Sequence, residues 1–424
     1  MCDRKGYTVL WRSFCKDSTI HSLNFLVMKM NYSHRIFWIV FNIFTISSTV
    51  AFMVHMWEDY LETPTIVTQS SSNIPIQNVY FPALAVCNMN KISKKKAVEY
   101  AQEINSYRKL ENIDSILQDL VSLGQLYTST SESEGSFIRL QKWMDKYDNY
   151  TEDYDISRRL LQLSPSCEDM LQSCRWADEQ QDCSKLFSTR ITYDGFCCTF
   201  NYVRQFTNSK IYSNSGQKIE PGSEEPRKPI GAGMMNGLSL ALKNDLDDYF
   251  FTTLETTGYK VLIFNAADYP DKISGSLNEI IIGFNQEVLI GLQVDLCRGS
   301  SSLAQLPLSL RRCMFRADGR TSFGPYSHSD CLVDCKTKSI VSLCQCIPFT
   351  VPVESEDVSA CSLIDLPCLG RYTGKWSKYY PKDLEDEELL VQEKYDSLSC
   401  EHCLPSCSHT VYKPFTSIAN VLDK

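Results

Sequence analysis

The feature that most constrains this chain is a run of 22 residues, IFWIVFNIFTISSTVAFMVHMW from Ile36 to Trp57, which contains no Asp, Glu, Lys or Arg. As an α-helix this run is about 33 Å long, which is enough to cross the hydrocarbon core of a bilayer. It starts too far into the chain to be a cleaved signal peptide, and it exceeds the usual apolar length of about 7–15 residues. We therefore predict a transmembrane helix at residues 36–57.

The charges on either side of the run predict its orientation. Basic residues precede it, and no Lys or Arg follows it until Lys91. The preceding ones are Arg4, Lys5, Arg12, Lys16, Lys29 and Arg35. Because cytoplasmic flanks are rich in Lys and Arg, we predict a cytoplasmic N-terminus at residues 1–35 and an extracellular domain at residues 58–424, in the plasma membrane. The alternative, a buried helix of a soluble core, leaves this charge asymmetry unexplained.

Cysteine content supports the same topology. The chain has 19 cysteines, and 17 of them follow the apolar run. Disulfides persist outside the cell and are rare in the cytosol, so this distribution predicts a disulfide-rich extracellular domain. The net charge of −9 argues against a surface for nucleic acid. Membrane lipid is therefore a predicted partner, and nucleic acid is not.

The predicted extracellular domain mixes strand and helix patterns. The segment VYFPALAVCNMN predicts a strand that begins near Pro82. Apolar residues recur at helical spacing from Lys94 to about Tyr127, which predicts one or two amphipathic helices, and a second helical pattern runs from Phe137 to Tyr147. The β-branched, apolar segments GLSLAL, GYKVLIF and NEIIIGFNQEVLIGLQVDL predict strands.

No second membrane span is predicted within these 424 residues. The best remaining candidate is the 18 residues from Leu277, which polar and acidic residues interrupt between positions 279 and 287. We interpret that segment as paired strands. One glycosylation sequon, at Asn149, lies on the predicted extracellular side, whereas the sequon at Asn31 lies on the cytoplasmic side.

The strongest cysteine pattern is a block of nine between Cys331 and Cys407. Cys331 and Cys335 are four residues apart in SDCLVDCKTKSIVSLC, whose helical pattern places them on one face. The segment KDLEDEELLVQEKYDSLSC also has a helical pattern, and two antiparallel helices with cysteines one turn apart can be joined by parallel disulfides. We predict that the last three cysteines bond back to the first helix. Structural zinc is the alternative, and an oxidising environment disfavours it.

The sequence gives no sign of catalysis. It contains no HExxH, no G-x-S-x-G, no phosphate-binding loop and no Gly-rich dinucleotide turn. We therefore predict that the protein is not an enzyme and has no catalytic residue, metal or cofactor. Three histidines, His328, His402 and His409, lie in the predicted extracellular domain. Ordinary surface positions are the first interpretation of them, and proton sensing is the alternative.

Seven segments follow one another in a characteristic order. They are FC-x4-IHS before the apolar run, then FPALAVCNMN, TYDGFCCTFN, GLSLAL, GYKVLIFNAADYP, the run from Cys331 to Cys346, and CEHCLPSC. This ordered set resembles the degenerin/epithelial sodium channel family, and most closely its insect pickpocket-like branch. The resemblance extends over about residues 13–412.

The resemblance implies an α+β fold, with one N-terminal transmembrane helix and a large disulfide-rich extracellular domain. That domain would contain a β-sheet palm, a helical finger around 97–120 and a helical thumb at residues 331–407. The implied function is a subunit of a ligand- or stimulus-gated, amiloride-sensitive sodium channel. Such a subunit would conduct sodium ions once completed by a pore helix, and would form a homo- or hetero-trimer with related subunits.

The family's disulfide order, carried to matching positions, implies specific pairs. They are Cys87 with Cys197, Cys174 with Cys183, Cys313 with Cys407, Cys331 with Cys403, Cys335 with Cys400, Cys344 with Cys368, and Cys346 with Cys361. We add Cys167 with Cys198 on proximity alone. Cys297 is then left over as a free or intermolecular thiol.

Two features depart from the family pattern. The family has His-Gly at a cytoplasmic gating motif, where this chain has His21-Ser22, and Gly tolerates backbone angles that Ser resists. The family's second membrane helix, with its Gly-x-Ser filter, should follow the last cysteines and is not among the 424 residues. We therefore expect a channel subunit truncated before its pore helix. The alternative is a single-pass, non-conducting surface protein that binds or regulates full-length subunits.

Overall fold

The computed structural model describes residues 4–19, 23–29, 31–63, 65–71, 73–108, 112–129, 138–144, 156–204, 225–351, 358–380, 393 and 395–421. The chain divides into two compact units. The first comprises Met1–Ser70 and Gln305–Arg311, and the second comprises Ser71–Ala304 and Arg312–Lys424. All disulfides found among the described residues belong to the second unit.

Helices and strands are mixed along the chain, as an α+β fold requires. The helices are α1 (Arg4–Asp17), α2 (Leu23–Val27), α3 (Tyr32–Glu62), α4 (Lys94–Arg108), α5 (Ile113–Thr128), α6 (138–144), α7 (Ile156–Leu163), α8 (Cys167–Met170), α9 (Cys183–Leu186), α10 (Leu308–Arg311), α11 (His328–Cys344) and α12 (Leu366–Trp376). The strands are β1 (Ala83–Asn88), β2 (Asn90–Ser93), β3 (Leu171–Trp176), β4 (Glu179–Gln181), β5 (Phe187–Thr192), β6 (Gly195–Phe200), β7 (Leu238–Leu242), β8 (Tyr249–Thr252), β9 (Tyr259–Phe264), β10 (Asn278–Ile282), β11 (Gln286–Cys297), β12 (Arg320–Thr321), β13 (Gly324–Pro325), β14 (Tyr379–Tyr380), β15 (Leu398–Ser399) and β16 (His409–Asn420).

In the first unit, α3 contains the predicted membrane helix and extends it at both ends. It has 31 residues, against the 22 of the apolar run. Thr63 ends the helix directly before Pro64, because a residue that precedes proline disfavours the helical conformation. Among the described residues, α3 is the helix long and apolar enough to cross a membrane.

A five-stranded antiparallel sheet lies at the centre of the second unit, in the order β10-β9-β1-β6-β5. Every residue of β9 is buried. Because side chains alternate across a strand, Val261 and Ile263 join one apolar cluster, and Leu262 and Phe264 join another. Burial on both faces explains why YKVLIF is an almost unbroken apolar segment.

Helices α4 to α7 form a third apolar core beside the sheet. Ile104 from α4, Leu120 from α5, Leu140 from α6 and Leu160 from α7 are all almost completely buried in it. The helical pattern from Lys94 corresponds to two helices, and Asn112 caps the second by accepting a hydrogen bond from the Asp114 N–H at 2.9 Å. The predicted helix at 137–147 is α6 in its described part.

β11 and β16 form a long antiparallel ribbon, paired from Gln286 opposite Asn420 to Cys297 opposite His409. The strands predicted between 277 and 294 are β10 and β11. They pair with β9 and β16 respectively rather than with each other. In the short turn between them, Asn285 adopts a positive φ of 58°.

The cysteine-rich block is built around α11 and α12. Leu332 and Ile340 from α11 pack in one core with Leu369 and Trp376 from α12. The Trp376 Nε1–H donates a hydrogen bond to the Ser339 hydroxyl at 3.1 Å. These contacts make α12 the second helix of the block.

The helix predicted over KDLEDEELLVQEKYDSLSC falls largely on residues 382–392 and 394, which lie outside the described residues, and the described residues 393 and 395 are helical. At residues 396–400 the prediction is wrong. Leu398–Ser399 is strand β15, which pairs in parallel with β14, and Cys400 follows in a turn. The pairing with β14 satisfies backbone groups that a helix would have satisfied internally.

Candidate functional site

Eight disulfides stabilise the second unit. They join Cys87 to Cys197, Cys167 to Cys198, Cys174 to Cys183, Cys313 to Cys407, Cys331 to Cys403, Cys335 to Cys400, Cys344 to Cys368, and Cys346 to Cys361. These are the same eight pairs that the family order and proximity imply. Cys297 is free and partly exposed at the end of β11, and Cys15 is free and buried in α1.

Helix α11 carries one side of a disulfide ladder. Cys331 and Cys335 lie one turn apart, and their Cα atoms are 5.6 and 6.1 Å from those of Cys403 and Cys400. The two bridges therefore run in parallel, as the spacing predicts. Their second anchor is the turn after β15 rather than a helix. At its last residue, Cys344, α11 is also bonded to Cys368 of α12.

A buried ionic cluster lies beside the central sheet. Asp194 sits in the turn between β5 and β6, and its carboxylate accepts hydrogen bonds from Lys91 of β2 and Lys260 of β9. The Lys260 Nζ is 2.7 Å from the Asp194 Oδ1. All three side chains are at most 7% exposed. One carboxylate thus joins three separate segments of the fold.

The charges of this cluster do not balance, since two ammonium groups face one carboxylate. Burial by itself would raise the pKa of Asp194, but Lys91 and Lys260 outweigh it and bring that pKa below the usual range. Burial lowers the pKa of Lys91, against the opposing effect of Asp194. The Lys260 Nζ also lies 5.7 Å from the centre of the Tyr193 ring, a cation–π distance at which the ring stabilises the ammonium group. Asp194 is therefore the residue on which the cluster depends.

A second buried pair joins the central sheet to α11. Arg204, which follows β6, donates a hydrogen bond to the Asp330 carboxylate in the first turn of α11. It also donates to the backbone carbonyls of Ala267 and Phe323, at 3.0 and 2.7 Å. Asp330 is fully buried, and burial raises its pKa to about 6 despite the nearby Arg204. The Asp330 carboxyl therefore titrates close to neutral pH.

The loop after β9 adds further contacts to α11. The Ser327 hydroxyl donates to Asp268 at 2.8 Å, and the Ser329 hydroxyl donates to the Tyr269 carbonyl at 3.0 Å. Two turns later, Lys336 donates to Asp271 at 3.1 Å. Together with Arg204, these contacts fix the start of α11 to the central sheet. A displacement of α11 would therefore act directly on β9 and its neighbours.

Two groups of side chains have ligand-like proximity. One contains Cys331, Cys403 and His402, and the other contains Cys87, Cys197 and Asp194. In both groups the cysteines are bonded to each other as disulfides. A cysteine binds zinc as a thiolate, so these sulfur atoms are not available as thiolate ligands.

Some predicted site residues lie outside the described part of the chain. These are the gating-motif residues His21 and Ser22 and the glycosylation site Asn149. Of the histidines, His328 is half-buried, and its Nδ1 is 3.1 Å from the Leu404 carbonyl. Burial lowers the pKa of His328, which favours the neutral ring.

The ionic residues of the site were missed by reasoning from sequence. Lys260 is a charged residue inside the apolar segment GYKVLIF, and Asp194 lies in TYDGFCC beside two cysteines. A charge in such a segment is a usable signal, because buried charges require partners. The sequence does not identify those partners, since Lys91 and Lys260 are 103 and 66 residues away from Asp194.

Comparison with known proteins gives one consistent result. The family model described as "Amiloride-sensitive sodium channel" matches residues 14–423. Pickpocket protein 28 of Drosophila melanogaster is 22% identical over 433 residues, covering 96% of this chain and 64% of that protein. Sodium channel protein Nach of the same species is 24% identical, covering 85% and 66%. Acid-sensing ion channel 1A of Danio rerio is 23% identical, covering 78% and 60%. The chain thus spans slightly less than two thirds of the length of these relatives.

Proposed function

This chain belongs to the amiloride-sensitive sodium channel family, and we propose that it is a subunit of a stimulus-gated, amiloride-sensitive sodium channel of the plasma membrane. The observation that carries the proposal is the family match, which includes α3 and nearly all of the disulfide-bonded unit. The names of two of the relatives, Nach and acid-sensing ion channel 1A, describe ion channels, which supports a transport function over an enzymatic one. Assembly with two further subunits of the same kind is part of the proposal.

We propose that α3 crosses the membrane through residues 36–57, with residues 1–35 in the cytoplasm and residues from 58 onward outside. The basic residues before α3 and the disulfides after it support this orientation. In the terms of the family, the central sheet would be the palm, α4 to α7 the finger, and the cysteine block at 331–407 the thumb.

The proposed mechanism uses the contacts between α11 and the central sheet. The disulfides of Cys331 and Cys335 hold α11 rigidly against the turn after β15. The hydrogen bond from Arg204 to Asp330 joins α11 to the central sheet. Within the sheet β1 pairs with β9, and β1 is the first strand after α3 along the chain. A stimulus that moves α11 would therefore reach the segment that leads from the membrane helix.

Co-expression with a conducting member of the family tests the function. We expect the chain to co-purify with that member from oocyte membranes, and to increase its sodium current or change the amiloride sensitivity of that current. Voltage clamp with sodium replaced by an impermeant cation measures the current. The variant Asp194→Asn should show both effects more weakly, because the loss of the buried carboxylate lowers the amount of folded chain at the cell surface.

The outcome that contradicts the proposal is specific. In that outcome the chain reaches the cell surface and carries no sodium current alone. It also fails to co-purify with the partner and leaves the partner's current unchanged. Such a chain is not a subunit of this kind of channel. Silencing of the partner's current with co-purification would instead indicate a regulatory subunit.

Glycosylation tests the proposed orientation independently. Oligosaccharyl transfer occurs on the luminal side, so we expect a single glycan on Asn149 that a glycosidase removes. The variant Asn149→Gln should lose the corresponding shift in electrophoretic mobility. Asn31→Gln is the matched control and should leave the shift unchanged, since its sequon precedes α3. A glycan on Asn31 would reverse the orientation.

A further inference from the structure

A free thiol and a histidine face each other at one end of the β11–β16 ribbon. Cys297 is the last residue of β11, is partly exposed, and is not bonded in any of the eight disulfides of the described residues. The residue directly opposite it in the ladder is His409, the first residue of β16, which is exposed. Side chains opposite each other in an antiparallel pair have Cβ atoms about 4.5–5.5 Å apart. Two common zinc ligands, a thiol and an imidazole, therefore lie together on one face of the ribbon.

Asp295 adds a carboxylate to the same face. Side chains alternate along a strand, so Asp295 lies on the same side of β11 as Cys297, two residues further on. The ion pair between Asp295 and Lys413 supports this placement, because Lys413 is opposite Gln293 in the ladder and shares its face. Asp295 is diagonal to His409, at a separation of about 7–8 Å that two side chains with an ion between them can span.

Local hydrogen bonds hold this end of the ribbon and orient the imidazole. The His409 Nδ1 is 3.2 Å from the Ser406 carbonyl oxygen. A carbonyl only accepts, so this contact places the ring proton on Nδ1 and leaves the lone pair of Nε2 for a metal. Histidine ligands of metals usually donate their other N–H in this way. The Gly299 N–H donates to the Ser408 hydroxyl at 2.9 Å, which keeps the end of β11 beside the start of β16.

We propose that Asp295, Cys297 and His409 form a zinc site that joins the two strands of the ribbon. Zinc takes four ligands in a tetrahedron, and water would complete this set of one oxygen, one sulfur and one nitrogen. Cys297 would bind as the thiolate and release its proton to solvent. Thiolate and imidazole ligands favour zinc over calcium and magnesium, which prefer oxygen ligands alone.

Zinc binding requires only local rearrangement. Without metal, Asp295 is paired with Lys413, and both side chains are about half exposed, at 49% and 58%. The carboxylate therefore exchanges an ammonium group for the metal by rotating at the surface. The ion would sit next to the cysteine block, since Cys407, two residues before His409, is bonded to Cys313. The inference uses the ribbon alone and is independent of the proposed channel function.

Cobalt spectroscopy on the full chain tests the site. The chain is purified in detergent with the changes Cys2→Ser/Cys15→Ser, which leave Cys297 as the free thiol, and is treated with a chelator before Co²⁺ is added. Tetrahedral Co²⁺ replaces zinc and absorbs visible light, and a thiolate ligand adds a charge-transfer band in the near ultraviolet. We expect both signals, and we expect Cys297→Ser to lose the charge-transfer band. Zinc should displace the cobalt, and that titration measures the zinc affinity.

Single variants test each ligand. Losing an outer-shell partner typically weakens metal binding about 10–100-fold, so His409→Ala and Asp295→Asn should each weaken zinc binding at least about 10-fold. Lys413→Met should strengthen zinc binding, because it releases Asp295 from its competing ion pair. A gain of affinity is not expected from damage to the fold. The matched control is His402→Ala, which removes an exposed histidine beside the Cys331–Cys403 disulfide and should change nothing.

Thermal melting separates metal binding from folding. A ligand that binds the folded state raises the melting temperature, so zinc should stabilise the wild type and not Cys297→Ser. Without added metal, the variants of Asp295 and Lys413 should melt as the wild type does, because an exposed ion pair contributes little to stability.

Three outcomes would overturn the inference. In the first, Cys297 does not react with a thiol reagent or gives no charge-transfer band with cobalt. In the second, the band appears but zinc affinity is unchanged in both His409→Ala and Asp295→Asn, so the thiol binds metal without the other two residues. In the third, zinc binding survives Cys297→Ser and is lost in His402→Ala, which places the ion beside the Cys331–Cys403 disulfide.

Discussion

Replacing Asp194 with Asn is expected to destabilise the disulfide-bonded unit by about 3–5 kcal/mol, because it leaves buried ammonium groups without their carboxylate. Lys91 and Lys260 both donate to Asp194, and the three side chains are nearly inaccessible to water. Asn offers one oxygen and no charge in place of two charged oxygens. The two lysines would then repel each other or release protons. Thermal unfolding of the full chain in detergent, compared at one scan rate, measures the loss.

Lys91→Met is the informative comparison. It removes one cation and leaves Lys260 paired with Asp194, so the cluster becomes electrically balanced. The large cost of breaking a buried ion pair comes from the uncompensated charge that remains, and Lys91→Met leaves none, so we expect it to cost less than Asp194→Asn. If Asp194→Asn and Lys91→Met lower the melting temperature equally, charge compensation is not what holds the cluster together.

Removing both bridges of the α11 ladder is expected to cost about 6 kcal/mol. The bridges Cys331–Cys403 and Cys335–Cys400 close nested loops with separations of 72 and 65 residues. While one bridge is intact, the other closes only a small additional ring of about nine residues, worth about 2–3 kcal/mol in the chain-entropy description. Losing both leaves the long segment between them closed by the outer bridge Cys313–Cys407, across about 22 further residues, which adds about 3 kcal/mol. The combined cost should therefore exceed the sum of the two single losses.

Melting under non-reducing conditions tests this with three variants, each with alanine in place of the bonded cysteines. Two variants lack one bridge and the third lacks both. Cys297→Ala controls for the loss of a sulfur atom, because Cys297 is a free thiol, and it should melt as the wild type does. If the variant that lacks both bridges has the same melting temperature as the variants that lack one, the ladder does not restrain α11.

Much of the fold follows from local sequence patterns. The strands β1, β7 and β9 and the helices α4, α5 and α11 correspond to segments whose apolar periodicity predicts them. These predictions succeed because the period of the pattern matches the period of the element that buries it. They fail where long-range pairing decides, as at Cys400, which follows β15 because β15 pairs with β14.

The ionic contacts of the site could not be predicted from local sequence patterns. Arg204 and Asp330 are 126 residues apart, and neither lies in a motif that names the other. Their pairing exists because the loop after β9 and the start of α11 come together, which excludes water and makes an unpaired charge costly. No local pattern contains that information.

By itself, the sequence determined the apolar run at residues 36–57, the asymmetry of charge on its two sides, the cysteine-rich block and the order of the family segments. These are properties of composition and of spacing along the chain, and they persist in any conformation. Only the tertiary structure decided that α12 accompanies α11, that β11 pairs with β16, and that Asp194 and Asp330 join distant segments. The physical reason is that burial and charge compensation depend on which surfaces meet, and that is fixed by the packing of the whole unit.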